Sequence, residues 1–139
     1  MIAVIDTNVL LMSLARKSPY HIIIKGFNEG KFNLVLTTEI FLEFEEILKA
    51  KANTVIAFNI LNAFVESPNV IPVDVYFKWN LISADEDDNK FTDAYLASDA
   101  DYLVTNDAHF DEVKKINFPK LNIISADEFL QILESLPVQ

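Results

Sequence analysis

The chain contains no cysteine and only two glycines, Gly26 and Gly30. The absence of cysteine excludes a disulfide framework and a thiolate metal site. A glycine-rich phosphate-binding loop, of the P-loop or dinucleotide-binding type, is excluded because there are no glycines beyond these two. With so little glycine and 51% hydrophobic residues, the composition favours a compact, helix-rich fold.

Long apolar segments and basic residues are also scarce. No apolar run reaches the roughly 18 residues of a transmembrane helix, and no basic region precedes the first apolar run, as a signal peptide would require. We therefore expect one cytoplasmic domain over residues 1–139, without membrane contact. Acidic residues outnumber Lys and Arg by 21 to 11, for a net charge of −10. A polyanionic partner would thus need bound cations or a local basic patch.

Short apolar segments alternate with helical patterns along the chain. Strands are predicted at 2–5, 32–36, 70–73, 102–104 and 121–124, and helices at 8–17, 18–29, 39–51, 53–66, 85–98, 108–116 and 125–136. This alternation predicts a parallel sheet with helices on both faces. Pro72 indicates an edge position for the third strand, and Ser18 is the predicted N-cap of the second helix. The connection 74–84 stays unassigned, although its apolar residues could pack as a short helix.

Four acidic residues are candidates for a common site. Asp6 ends the first strand, and Asp107 follows the fourth strand as the last residue of a Thr-Asn-Asp cluster. The carboxyl ends of parallel strands are where open α/β sheets bind ligands. Asp88 begins the inward face of the fifth helix, and Glu43 flanks the apolar stripe of the third. Asp93, on the opposite side of its helix from Asp88, is expected to be solvated.

Carboxylates gathered this closely cannot all remain ionised unless a cation neutralises them. Oxygen ligands without cysteine or a dedicated histidine indicate Mg²⁺ or Mn²⁺. Because such ions bind substrate phosphates, the pattern favours metal-assisted phosphodiester hydrolysis. Each acid alone also has an ordinary explanation, as a helix cap, a first-turn acid or a solvated side chain. An aspartate-nucleophile phosphatase is excluded because Asn8 stands where its second acid belongs.

Four segments together resemble the PIN-domain nucleases. They are residues 4–11 (VIDTNVLL), 38–44 (TEIFLEF), 87–91 (DDNKF) and 100–107 (ADYLVTND). Their order and spacing are similar to those of prokaryotic single-domain PIN proteins of the VapC type, the toxins of toxin–antitoxin pairs. The resemblance spans essentially the whole chain. It implies a three-layer α/β/α fold with a central, mostly parallel five-stranded sheet.

The resemblance also implies an activity, a cofactor and partners. The expected activity is metal-dependent endoribonuclease cleavage of RNA, with Mg²⁺ or Mn²⁺ held by the catalytic acids Asp6, Glu43, Asp88 and Asp107. The neighbours expected to position substrate or water are Thr7, Asn8, Thr105 and Asn106. An antitoxin protein and a homodimer are the expected partners.

Two alternatives stay open at this point. A shift of one residue in the alignment would replace Asp88 by Asn89 as the third position, and Asp87 could also serve there. The chain could instead be a PIN-like scaffold that binds RNA or protein with little or no cleavage. The excess of acidic over basic residues favours this alternative. Against this alternative, four unneutralised carboxylates would carry an electrostatic cost.

Overall fold

Five strands form a single sheet in the order β3-β2-β1-β4-β5. In the computed structural model, which describes residues 1–137, the strands are β1 (Ile2–Ile5), β2 (Asn33–Leu36), β3 (Val70–Pro72), β4 (Tyr102–Val104) and β5 (Ile123–Ile124). Every neighbouring pair is parallel. The predicted sheet is therefore confirmed, as is the edge position of the strand that contains Pro72.

Within residues 1–137, seven helices surround the sheet in a three-layer α/β/α arrangement. They are α1 (Thr7–Leu14), α2 (His21–Asn28), α3 (Thr38–Lys51), α4 (Thr54–Glu66), α5 (Asn89–Ser98), α6 (Asp111–Lys114) and α7 (Ala126–Ser135). Helices α1, α2 and α7 pack together, whereas α5 packs on β1, β2 and β4. Single 3₁₀ turns, Glu86–Asp88 and Ala108–Phe110, precede α5 and α6. No helix within residues 1–137 has the length and apolarity needed to cross a bilayer.

Strands β1 and β4, neighbours in the middle of the sheet, are buried on both faces, as expected for a parallel sheet covered by helices. Val4 and Leu103, paired across β1 and β4, are completely buried. Phenylalanines fill the space between sheet and helices, and Phe32 packs edge-on against Phe129 of α7 with ring centroids 5.1 Å apart. Both faces of β1 and β4 therefore belong to the core.

One local prediction, the start of the second helix, was wrong. The second helix begins at His21 instead of Ser18, and the Ser18 hydroxyl accepts a hydrogen bond from the backbone N–H of Tyr20 within the preceding turn. The connection 74–84 contains no helix, and Asn80 adopts a left-handed conformation with φ of 52°. Serine and asparagine side chains bond readily to nearby backbone groups, which favours turns over helix at such positions.

Asp93 is a second correction. It was expected to be solvated, but only 5% of its surface is exposed. The connection 74–84 runs along the outer side of α5, and the backbone N–H of Trp79 donates a hydrogen bond of 3.0 Å to Asp93 Oδ1. Helical periodicity shows which residues share a face, and the face opposite the apolar one was assigned to solvent. The periodicity does not show which loop covers that face.

Candidate functional site

Asp6 and Thr105 stand side by side at the carboxyl ends of the neighbouring strands β1 and β4. Ile5 pairs with Val104, and the N–H of Asp6 donates to the carbonyl of Val104 at 2.9 Å. The Thr105 hydroxyl donates to Asp6 Oδ2 at 2.8 Å and accepts from the N–H of Asp107 at 3.0 Å. One buried threonine thus holds both strand-end acids in place.

The carboxylate of Asp6 is almost entirely buried, with 5% of the residue exposed. Its Oδ1 caps α1 by accepting a hydrogen bond from the N–H of Asn8 at 3.3 Å. Burial raises the pKa of Asp6 above its ordinary value, and the hydrogen bonds from Thr105 and Asn8 only partly oppose the rise. The negative charges of Asp107 and Glu43 raise this pKa further. Asp6 is therefore a carboxylate that a nearby cation would stabilise.

Glu43 reaches the same place from α3. The hydroxyl of Thr7 donates to its Oε2, and the ammonium of Lys90 lies 2.9 Å from its Oε1. Both partners of this ion pair are largely buried, with 13% of the Lys90 side chain and 26% of the Glu43 side chain exposed. Sequence reasoning missed Lys90. The sequence feature that could have indicated Lys90 is its place as the one basic residue at the end of the acidic run 85–90.

Asp88 completes the group from the 3₁₀ turn before α5. Its Oδ2 lies 3.1 Å from Nδ1 of His109, and the same nitrogen lies 3.3 Å from Asp107 Oδ1. Burial raises the pKa of Asp88 to about 6, against the hydrogen bond with His109, and the charges of Asp107, Asp85 and Asp6 add to the rise. The hydrogen bond to Asp88 in turn raises the pKa of His109 above its ordinary value.

Asn89 and Asp87, the two alternatives to Asp88 for the third position, do not face the other acids in the same way. Asn89 is buried and bonds to the backbone of Ile82 through both ends of its amide, at 2.8 Å and 3.0 Å. Asp87 is exposed and lines a separate surface pocket with Glu39 and Lys78. The geometry therefore favours Asp88 as the third acid, and its role stays a prediction.

The four expected positioning residues divide into two groups. Thr7 and Thr105 are buried and bond directly to Glu43 and Asp6. Asn8 is exposed beside Asp6, to which its backbone N–H donates. Asn106 accepts a hydrogen bond from the N–H of Ala126 at 2.9 Å, so its side chain is tied to the start of α7. We therefore expect Asn106 to contribute to structure more than to substrate binding.

The donor set fits a divalent cation. Strand β1, helix α3, the turn before α5 and strand β4 bring together carboxylates whose charges raise the pKa of Asp6 and of Asp88. Such like charges are relieved when a cation binds among them. The ligating atoms are oxygens, the type that Mg²⁺ and Mn²⁺ accept.

Comparisons with known proteins identify the family and the fold. The sequence profile described as PIN domain matches residues 3–109. The structure is similar to a chain of the VapBC2 complex from Rickettsia felis. That complex was solved bound to a DNA fragment from the promoter of VapBC2. The TM-score is 0.63 at 16% identity, and the alignment covers 90% of this chain and 98% of that one. No curated protein matches the sequence. The profile match confirms the resemblance drawn from the four sequence segments, and the structural likeness confirms the fold.

Proposed function

The chain belongs to the PIN domain family, a family of nucleases, and we propose that it is a divalent-metal-dependent endoribonuclease. The observation that supports the proposal is the chain of contacts at the carboxyl ends of β1 and β4: the Thr105 hydroxyl bonds to the Asp6 carboxylate and to the N–H of Asp107, and Nδ1 of His109 lies 3.1 Å from Asp88 and 3.3 Å from Asp107. RNA as the substrate is supported by the resemblance of the sequence to VapC-type PIN proteins. With a net charge of −10, the chain would need bound cations or a local basic patch to bind a nucleic acid, and cations at this site would supply that positive charge.

Mg²⁺ or Mn²⁺ would be held by Asp6, Asp88 and Asp107, with Glu43 as a further ligand or as the group that positions the attacking water. Such an ion would activate water and neutralise charge on the phosphodiester when bound. The chain's own contribution is to hold these ligands rigidly. Thr105 fixes Asp6 and Asp107 through one hydroxyl group.

Lys90 and Thr7 fix the remaining acid. Because the two oxygens of Glu43 bond to different partners, the carboxylate has one orientation. The ammonium of Lys90 also places a positive charge beside the acids, where a substrate phosphate would approach. A fixed charge of this kind stabilises an anionic substrate without reorganisation during the reaction.

The proposal includes a biological context. The structural neighbour is described as a VapBC2 complex, and this chain would likewise be a toxin neutralised by an antitoxin protein. Helices α3 and α4 expose large apolar side chains, among them Leu42, Val55 and Phe58. These are the surfaces on which we expect a homodimer or an antitoxin to pack, and light scattering of the purified chain measures the dimer directly.

The decisive experiment is digestion of RNA with Mg²⁺, Mn²⁺ or a chelator. We expect cleavage by the wild type with either ion and none with chelator. Asp6→Asn and Asp107→Asn should abolish cleavage while leaving the circular dichroism spectrum unchanged. Asp99→Asn is the matched control, because Asp99 is an exposed aspartate at the far end of α5 in the left-handed conformation that asparagine tolerates.

A metal-binding measurement separates the enzyme from the scaffold alternative, which the net charge of −10 favours. Ions that bind the folded chain raise its melting temperature. We expect Mn²⁺ to raise that of the wild type and of Asp99→Asn, but not that of Asp6→Asn. Robust cleavage by Asp6→Asn would overturn the nuclease assignment, and a wild type that neither binds Mn²⁺ nor cleaves RNA would support the scaffold.

A further inference from the structure

Three carboxylate oxygens surround one ring nitrogen of His109. Nδ1 lies 3.1 Å from Asp88 Oδ2, 3.3 Å from Asp107 Oδ1 and 3.9 Å from Asp85 Oδ2. One ligand atom each from Asp85, Asp88 and His109 lie within 4.8 Å of one another. Two atoms bonded to the same ion at about 2.0–2.2 Å are separated by at most about 4.4 Å. The three groups are therefore close to sharing one coordination sphere.

Local backbone structure places these side chains. Asp107 caps the turn Ala108–Phe110 by accepting a hydrogen bond of 2.9 Å from the N–H of His109. Asp85 caps the turn Glu86–Asp88 through its Oδ1, which accepts from the N–H of Asp87 at 3.1 Å, and its Oδ2 is the atom nearest His109. Both turns are set by short-range bonds. Nδ1 of His109 and the carboxylate oxygens of Asp85 and Asp88 are consequently close together without rearrangement of the helices that follow.

We propose that His109 is a nitrogen ligand of the cation site, beside Asp88 and Asp85, and that it biases the site toward first-row transition-metal ions over Mg²⁺. The inference rests on the proposed function, because it assumes that a divalent ion binds at these acids. Mg²⁺ takes oxygen ligands, whereas imidazole is a common ligand of first-row transition metals. An imidazole in the set therefore distinguishes this site from one made of carboxylates alone.

The competing interpretation assigns His109 a different role. A protonated imidazole could itself act as the counter-charge of Asp88 and Asp107, and a bound ion would then have only oxygen ligands. The two interpretations differ in one observable, which is direct bonding between the metal and a histidine nitrogen. Mn²⁺ reports that bond because it is paramagnetic.

The test is electron spin-echo spectroscopy of Mn²⁺ bound to the full chain. The chain has only two histidines, His21 and His109. In the wild type we expect the nitrogen coupling of one directly bound imidazole. That coupling should be absent in both His109→Ala and His109→Gln, and it should persist in His21→Gln. His21 is a suitable control because it lies in α2, with its Nδ1 3.0 Å from the carbonyl of Ser13.

A competition titration supplies the second measurement. Mg²⁺ is added to the Mn²⁺-loaded protein, and release of Mn²⁺ is followed by its solution spectrum. In His109→Ala we expect the preference for Mn²⁺ over Mg²⁺ to fall roughly tenfold, which is within the range for altered groups at metal sites. His109 is exposed, so its replacement should leave the fold intact.

The outcomes separate this inference from the proposed function. Mn²⁺ bound by the wild type without nitrogen coupling, or with a coupling that survives in His109→Ala, overturns the role of His109 and leaves the nuclease proposal standing. A wild type that binds no Mn²⁺ overturns both. Nitrogen coupling that disappears only with the His109 variants, together with the selectivity change, establishes the ligand.

Discussion

The ammonium group of Lys90 lies 2.9 Å from Oε1 of Glu43, at the edge of the acidic site. Both side chains are largely buried, so water screens this pair less than an ordinary surface ion pair. The pair balances one of the four negative charges in the absence of metal, and it fixes the orientation of Glu43. Lys90 therefore contributes to stability as well as to the proposed chemistry.

Removal of the Lys90 charge should destabilise the metal-free protein. We expect Lys90→Met to lower the free energy of unfolding by about 1–3 kcal/mol, since Glu43 would lose its charged partner in a partly buried place. Urea denaturation in the presence of a chelator measures the loss. Lys78→Met is the control, because Lys78 and Glu39 form an exposed pair at 3.9 Å whose loss should cost at most about 1 kcal/mol. Equal losses would contradict a special role for Lys90.

Thr105 connects the two strand-end acids, and its hydroxyl should matter more than its shape. Thr105→Val keeps the volume but removes the donor to Asp6 and the acceptor for the N–H of Asp107. We expect a loss of about 1–3 kcal/mol in the free energy of unfolding and weaker Mn²⁺ binding by calorimetry. Thr105→Ser retains both bonds and should retain Mn²⁺ affinity. A Thr105→Val variant that binds Mn²⁺ like the wild type would show that the hydroxyl does not organise the site.

Three consecutive residues, Asp87, Asp88 and Asn89, provide a test of which one serves the site. We expect Asp88→Asn to abolish RNA cleavage and Asp87→Asn to have little effect, because only Asp88 contacts His109. Asn89→Ala should lower the free energy of unfolding by about 1–3 kcal/mol, since it leaves the buried backbone groups of Ile82 without partners. Cleavage that depends on Asp87 and not on Asp88 would reverse the assignment.

The sheet and the approximate positions of the acids could be predicted because they follow from short-range patterns. Apolar runs that end in acids identified β1 and β4, and the parallel arrangement placed the two ends together. The spacing of Ser125 and Glu128 likewise predicts the capping box of α7, in which the two residues bond reciprocally. These features depend on residues that are neighbours in the sequence or on a common edge of the sheet.

The remaining features depend on contacts between distant segments, which no local pattern encodes. The pair of Lys90 with Glu43 joins α5 to α3, and the approach of His109 to Asp85 joins two separate turns. A lone lysine in an acidic run looks like a solvated residue until the fold brings a carboxylate to it. The ligand set was therefore predicted as four acids, and the proposed nitrogen ligand, His109, follows only from the three-dimensional arrangement.

Asp93 gives a prediction about pH. Burial raises the pKa of Asp93 above its ordinary value of 3.8, against the hydrogen bond from Trp79 and the charge of Lys78. An acid whose pKa is higher in the folded than in the unfolded protein holds its proton more tightly when folded. It therefore destabilises the protein as pH rises from the unfolded pKa through the folded pKa. Asp93→Asn removes the charge and keeps the acceptor for the N–H of Trp79.

We therefore expect the melting temperature of Asp93→Asn, relative to wild type, to increase from about pH 4 to about pH 7.5. Thermal unfolding in the presence of a chelator measures this difference, and titration of the acidic site cancels because both proteins share it. The exposed Asp99, on the same helix, is the control: the difference between Asp99→Asn and wild type should vary less with pH. If the difference for Asp93→Asn is constant with pH, the burial of Asp93 does not penalise its charge, and the loop 74–84 leaves that carboxylate accessible to water.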